Sequence, residues 1–221
     1  GNMSRSASMK WDLNLEYKYG KLIGIDEVGR GCLAGPVVSC AVLMPSNCYL
    51  QGVRDSKKLT AKKREALARQ IELSAVAIGY GVASAREIDR IGIRPAVQKT
   101  MRVALEQILS QGPYLRHIAC DYETVPVPYA QTAIIRGDDT IYSIACASIL
   151  AKVYRDRMAA AWEAAYPGYH FATNKGYGTR AHCLGIETLG LSPLHRKSFC
   201  RRWRTDEEDS TNSQQSFLDR A

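Results

Sequence analysis

No apolar run in this sequence approaches the ~18 residues that cross a bilayer. The longest, Pro36 to Pro45 and Ser143 to Ala151, have the length of core elements. The N-terminus, GNMSRSASMKWDL, lacks the hydrophobic stretch of a secretory signal, and its Gly1-Asn2 before Met3 is expected to be an expression scar. There is no Cys-x-x-Cys pair and no metal-finger spacing. Seven scattered cysteines, an odd number, argue against a disulfide scaffold and for a reducing, cytoplasmic setting. Membrane-spanning, secreted and zinc-finger readings are therefore set aside.

What remains is ordinary globular material. Apolar residues make up 46% of the 221, enough for a buried core. The expected organisation is an N-terminal tail over 1–17, a folded body over 18–204 and a polar, acidic, disordered tail over 205–221. The net charge of +8 is unevenly placed, because that last tail holds five acids and one base. Without it, 29 bases face 17 acids, and the body carries +12. So basic a body suits a polyanionic partner, most simply nucleic acid, although solubility alone would also explain it.

Patterning gives the elements. Lys21 to Ile25 and Val37 to Met44 read as strands. In DSKKLTAKKREALARQIELS the period changes, with Leu59, Leu67 and Ile71 among charges as on an amphipathic helix. Ala75 to Val82 is β-like, and Ser84 with Glu87 has capping-box spacing, so a short helix should follow. Pro95 suits the first turn of a helix running to about Ser110, with Val97, Met101, Ala104, Leu105 and Ile108 buried. His117 to Cys120 should be a strand ending at Asp121, and Thr132 to Ile135 another. A long helix is expected over Tyr142 to Ala165, stopped by Pro167-Gly168, with shorter ones over Arg180 to Leu189 and Ser192 to Trp203. Strands in series followed by alternation imply an α/β or α+β fold with a mixed sheet.

The chemistry should lie with the acids. Asp26 and Glu27 adjoin at the end of an apolar strand in GIDEVGRGCLAGPVV, Asp121 closes HIACD, and Asp138 and Asp139 precede the long helix. If the strands of Asp26 and Asp121 are parallel neighbours, their acids converge where open α/β sheets bind ligands. Clustered carboxylates suit hard cations, Mg²⁺ or Mn²⁺, and two such ions about 4 Å apart would serve phosphodiester cleavage. Taken singly, Asp121 reads equally well as a turn residue, one of Asp138 and Asp139 as a helix cap, and Glu123 as a solvated acid. Gly29 and Gly31 flank Arg30, a loop whose amides and guanidinium suit a phosphate or a sugar hydroxyl.

These stretches, taken with DSKKL (from Asp55), RGDD before ASILAKVYRDR (from Ala147), NKGYGT (from Asn174) and HRKSF (from His195), resemble ribonuclease HII in block content and order. The resemblance covers roughly Lys21 to Phe199. It implies a ribonuclease H-like α/β fold: a mixed five-stranded sheet flanked by helices, with a C-terminal helical extension. Its four acidic positions fall on Asp26, Glu27, Asp121 and Asp138, catalytic and metal-binding together. It implies two divalent ions, Mn²⁺ or Mg²⁺, and hydrolysis of RNA in RNA–DNA hybrids to 3′-hydroxyl and 5′-phosphate ends. It further implies nicking 5′ to single ribonucleotides in duplex DNA, as replication and ribonucleotide excision repair require. Gly29, Arg30 and Gly31 would read the 2′-hydroxyl, and Tyr177 would pack on the neighbouring deoxyribose. Lys57, Lys58, Lys175 and Arg180 would meet phosphates, and Arg196 would serve there or tie down the last helix.

Two positions depart from the family pattern: Tyr122 follows the third acid where glycine is common, and Asn174 replaces a common histidine. Ribonuclease HIII is the nearest rival, but a long N-terminal domain would be expected there. A binding module without catalysis would gain nothing from four acids facing phosphates. A general DNA nuclease would differ in ignoring the ribose. A monomer is expected. The tail stretch QQSFL, Gln214 to Leu218, loosely resembles peptides that dock on sliding clamps, against the plainer reading of a polar tail with two stray apolar residues.

Overall fold

The computed structural model describes residues 22–46, 48–112, 117–121, 131–134 and 141–204, with 121 and 132–134 in their backbone. Chain contacts divide the described residues into two compact units, one within Gly1–Val28, Val38–Val82 and Val97–Tyr154, the other within Gly29–Val37, Ala83–Ala96 and Arg155–Ala221.

The first unit is built on a five-stranded sheet in the order β3-β2-β1-β4-β5. Its strands are β1 (Leu22–Val28), β2 (Val37–Leu43), β3 (Ala77–Ala83), β4 (His117–Asp121) and β5 (Gln131–Ile134). β1 is central, antiparallel to β2 and parallel to β4, which in turn is parallel to β5, so the sheet is mixed. Burial along β1 and β2 is nearly continuous, as a strand covered on both faces requires. β1 runs three residues past the expected Ile25, through Asp26 and Glu27 to Val28, because β2 pairs with it along that whole length.

Helix α1 (Ala61–Ser74) is capped by Thr60, whose hydroxyl accepts from Lys63 N–H, and buries Leu67, Ala68 and Ile71. The expected helical register from Leu59 is thus corrected: a 3₁₀ turn (Ser56–Lys58) precedes the cap, and Leu59 lies outside the helix. Helix α2 (Ala85–Ile91) starts at Ser84 as its capping spacing implied, with Ser84 Oγ accepting from Glu87 N–H. Helix α3 (Ile93–Ser110) holds Pro95 in its first turn and buries all five expected apolar residues.

The long helix α4 (Tyr142–Ala165) has the expected bounds. Its first half joins the core of the first unit, where Tyr142, Cys146, Ile149 and Leu150 pack with Val42, Leu67 and Ile71. The Tyr142 hydroxyl accepts from Leu50 N–H at 2.8 Å, which pins the helix start.

In the second unit, Ala34, Ala159, Trp162, Tyr169, Phe171 and Ile186 form the core. Helices α5 (Phe171–Asn174) and α6 (Arg180–Leu189) follow α4. The helix expected over Ser192 to Trp203 is absent; two 3₁₀ turns, Lys197–Phe199 and Arg201–Trp203, stand there instead. The backbone is held by distant partners: His195 bridges Ala34, and the amides of Lys197 and Ser198 donate to the Asp89 carboxylate. Those contacts fix a path of short 3₁₀ turns that helical patterning does not register.

Candidate active site

Asp26 is an acid inside a buried strand, only 5% exposed. It shares a face of β1 with Gly24, two residues earlier, since side chains alternate along a strand. An added Cβ at Gly24 would lie 2.3 Å from the Ser143 backbone, so glycine is what lets the first turn of α4 pack on this face. Asp26 Oδ1 accepts from Glu27 N–H at 2.8 Å, and Oε2 of Glu27 is shut off from solvent. On the β2 side Asp26 faces Cys40. Burial first, and the Asp26 charge next, push the Cys40 thiol well up, so it stays neutral beside the acids.

On the other side the parallel register decides the layout. Ile25 pairs with Cys120, which makes Asp26 and Asp121 the next residues along adjacent strands. Neighbouring strands lie about 4.8 Å apart. Asp26 and Asp121 therefore occupy equivalent positions, and Glu27 is next to the first. Asp138 falls outside the described residues, as do Asp139, Tyr122 and Glu123; the sequence places Asp138 four residues before Tyr142. Lys57 and Lys58 are exposed on the 3₁₀ turn of this same unit.

The second unit contains the glycine loop. Two fully buried arginines hold it by its carbonyls. Arg196 donates through Nε to Gly35 O (2.9 Å), through Nη1 to Arg30 O (2.9 Å) and through Nη2 to Gly29 O (2.6 Å). Arg155 donates through Nε to Pro36 O and through Nη2 to Ala34 O, both at 2.9 Å, and through Nη1 to Lys175 O. A planar guanidinium with five donors suits this work, and a lysine could not reproduce it. Burial pushes the Arg196 pKa down to about 10, which still leaves a cation at neutral pH. The Arg155 guanidinium also lies 5.1 Å from the Trp162 ring centre.

The loop is bonded to the K-G-Y-G turn as well. Gly176 O accepts from Leu33 N–H (2.9 Å) and Ala34 N–H (3.3 Å). Tyr177 is 41% exposed, but its phenol end is seated against the Cys32 thiol and the Gly29 backbone; burial is the main cause pushing its pKa up. The ring lies 5.8 Å from the Arg155 guanidinium carbon. What Tyr177 presents outward is thus a fixed aromatic face. Lys175, half-buried, takes a left-handed backbone (φ 56°) uncommon for a non-glycine residue. Asn174 is buried and closes the turn, with Nδ2 donating to Tyr169 O (2.7 Å) and Oδ1 accepting from Gly176 N–H (2.8 Å). In this chain the asparagine is a turn brace, and a substrate contact is not its use.

The expected site residues thus fall in two groups. Register brings Asp26, Glu27 and Asp121 together, and hydrogen bonds bring Gly29, Arg30, Lys175 and Tyr177 together, with Gly31 next in the chain to Arg30. Sequence reasoning missed Arg155, Cys32 and the anchor Asp89, and left Arg196 between two roles. For Arg155 a signal exists: Ala151, Arg155, Ala159 and Trp162 form one helical stripe whose other members are apolar.

Comparison with known proteins follows the same lines. The family model described as Ribonuclease HII matches residues 23–202. The chain belongs to the ribonuclease HII family. It is 49% identical over 185 residues to the ribonuclease HII of Enterococcus faecalis, covering 83% of this chain and 71% of that protein. It is similar to the ribonuclease HII of Archaeoglobus fulgidus solved in a PCNA:RNase HII complex, with TM-score 0.67, 24% identity, and 86% and 99% of the two chains covered. It is also similar to Bst-RNase HIII in complex with Mn²⁺, with TM-score 0.58, 18% identity, and 77% and 63% covered. The enzyme is accordingly a ribonuclease H, a hydrolase of a divalent-metal-dependent family, with the ribonuclease H fold. Among the described residues, no helix is long and apolar enough to cross a membrane.

The residues present fit such a metal. Asp26 and Glu27 supply only oxygen donors, one carboxylate lies in a buried strand, and desolvating adjacent like charges is offset by a cation. Oxygen-only donors favour Mg²⁺ or Mn²⁺ over zinc.

Proposed function

We propose that this enzyme hydrolyses the RNA strand of RNA–DNA hybrids and nicks duplex DNA 5′ to a single embedded ribonucleotide, leaving 3′-hydroxyl and 5′-phosphate ends. The observation that carries the reading is the equivalent placement of Asp26 and Asp121 on adjacent parallel strands, with Glu27 beside the first. Asp26, Glu27, Asp121 and Asp138 would hold two divalent ions, Mn²⁺ or Mg²⁺. Bound there, the ions supply Lewis acidity at the scissile phosphate and lower the pKa of a water.

The chain's own residues do the rest. Asp26, buried in a strand paired on both sides, keeps its carboxylate in place before substrate arrives. Five loop carbonyls and that of Lys175, turned inward by Arg155 and Arg196, hold the G-R-G segment rigid toward the 2′-hydroxyl, the group that marks a ribonucleotide. Tyr177 offers its exposed face to the neighbouring deoxyribose. Lys57 and Lys175 position the duplex through phosphates and read no sequence. The C-terminal stretch Gln214 to Leu218 would dock on a sliding clamp, a reading supported by the Archaeoglobus enzyme having been solved with PCNA. Unchanged clamp binding after deletion of residues 205–221 would remove that part.

The experiment is cleavage of an RNA–DNA hybrid by the wild type and Asp121→Asn, with metal added or chelated. Cleavage that needs the metal and falls by at least about a hundredfold in the variant is expected. Cleavage surviving either change would overturn the assignment.

A further inference from the structure

Behind the Tyr177 turn lie two histidines, His182 at 0% and His195 at 2% exposure. Tyr169 and Phe171 enclose them, with ring centres 4.9 Å from His195 and 5.3 Å from His182 respectively. Their ring nitrogens form a continuous chain of hydrogen bonds. His195 Nδ1 is met by Ser192 N–H (2.9 Å) and by Ser192 Oγ (2.8 Å). His195 Nε2 and His182 Nε2 are 2.9 Å apart. His182 Nδ1 lies 2.8 Å from the Tyr177 carbonyl oxygen.

The two ends fix every proton between them. A backbone amide can only donate, so His195 Nδ1 is an acceptor and its proton sits on Nε2. That Nε2–H donates to His182 Nε2, which leaves the His182 proton on Nδ1, donating to the Tyr177 carbonyl. The Tyr177 carbonyl can only accept, so the assignment closes without conflict. Only the doubly neutral state satisfies it: a proton on His182 Nε2 would face the one on His195, and a proton on His195 Nδ1 would face the Ser192 amide. The chain also ends at a chosen place. Thr179 Oγ1, capping α6, accepts from His182 N–H at 3.3 Å, so His182 is braced at both its backbone and its ring.

We infer that His182 and His195 are positioning residues for Tyr177: a one-directional relay from Ser192 sets the backbone of the K-G-Y-G turn and hence the aromatic face offered to the substrate sugar. This rests on the reading of Tyr177 given above. The pair touches no reacting atom, so its loss should alter substrate binding and spare the chemical step.

The test uses the full chain and a DNA duplex carrying one ribonucleotide. His195→Phe keeps a ring of similar size but leaves His182 Nε2 without its donor, and KM should rise roughly tenfold, the worth of one buried hydrogen bond, with kcat within about twofold. His195→Gln keeps an N–H near the Nε2 position and should hold KM within about threefold of wild type. The double variant His195→Phe with Tyr177→Ala should be no worse than Tyr177→Ala alone, because the first change acts through the second residue. A folded His195→Phe protein with wild-type KM, or multiplying effects in the double variant, would overturn the relay. If Tyr177→Ala itself leaves KM unchanged, the reading of Tyr177 as sugar platform fails. The relay is then decided by imidazole nitrogen shifts in the wild type, which should show the proton on Nε2 of His195 and on Nδ1 of His182. The opposite tautomers or a charged ring would refute it on their own.

Discussion

Gly29 and Gly31 stand one residue either side of Arg30 and answer to different constraints. A Cβ at Gly29 would lie 2.4 Å from Nε of Arg155, and the residue has φ +86°. At Gly31 φ is not positive, and apart from its own chain neighbours no heavy atom of the described residues lies within 4 Å of the same added carbon. The fold requires the first glycine. The second leaves room for something outside the chain, which the proposed function identifies as the ribose.

Alanine at the two positions should therefore separate stability from activity. Gly29→Ala should cost at least about 1–2 kcal/mol from the left-handed backbone alone and lower the Tm by several degrees. Gly31→Ala should stay within about 0.5 kcal/mol of wild type and still lose most cleavage at a single ribonucleotide. Thermal melts beside cleavage rates decide it; equal losses of stability would show that Gly31 is a fold residue after all.

A buried guanidinium that satisfies three carbonyls is not replaceable by an ammonium. Arg155→Lys should leave backbone oxygens of the glycine loop unsatisfied and cost on the order of 2–5 kcal/mol, read from the urea midpoint. A loss under about 1 kcal/mol would mean that the loop is held by Gly176 and Arg196 alone. Arg155 was open to discovery from the sequence only as an oddity, a charge on an apolar stripe. What it reaches for, carbonyls more than a hundred residues earlier, is long-range information that no local pattern contains.

The same distinction explains the rest of what was legible. Ser84 with Glu87 marked a helix start because a cap is a local hydrogen bond, and the α3 face was readable because burial has the helix period. Asp26 and Asp121 were recognisable as strand-end acids, but their alignment depends on parallel pairing, which sequence could state only as a condition. The stretch from Ser192 failed as a continuous helix because Asp89, Ala34 and the histidine relay hold its backbone to other, distant partners.

Acid should weaken the fold through the same histidines. Burial chiefly, and His182 next, hold the His195 pKa down to about 4 against an ordinary 6.5. Between those values the unfolded chain binds more protons than the folded one, so stability falls as pH falls. The contribution is complete above pH 6.5 and lost by about pH 4, a total on the order of 3 kcal/mol. His182, which burial also pushes down, adds in the same direction. Urea midpoints across that range should slope less in His195→Phe than in wild type; equal slopes would contradict the buried neutral pair.

Asp26 is where fold and chemistry can be separated most cleanly. Asparagine there keeps the shape of the side chain and removes a charge beside Glu27, so stability should hold or rise slightly. The decisive measurement maps cleavage on a DNA duplex containing one ribonucleotide, with Mg²⁺ or Mn²⁺, comparing wild type, Asp26→Asn and an all-DNA duplex. The account predicts a nick on the 5′ side of the ribonucleotide, abolished in the folded variant and absent from all-DNA. Binding without cleavage under both metals, or equal cutting of the all-DNA duplex, would contradict it.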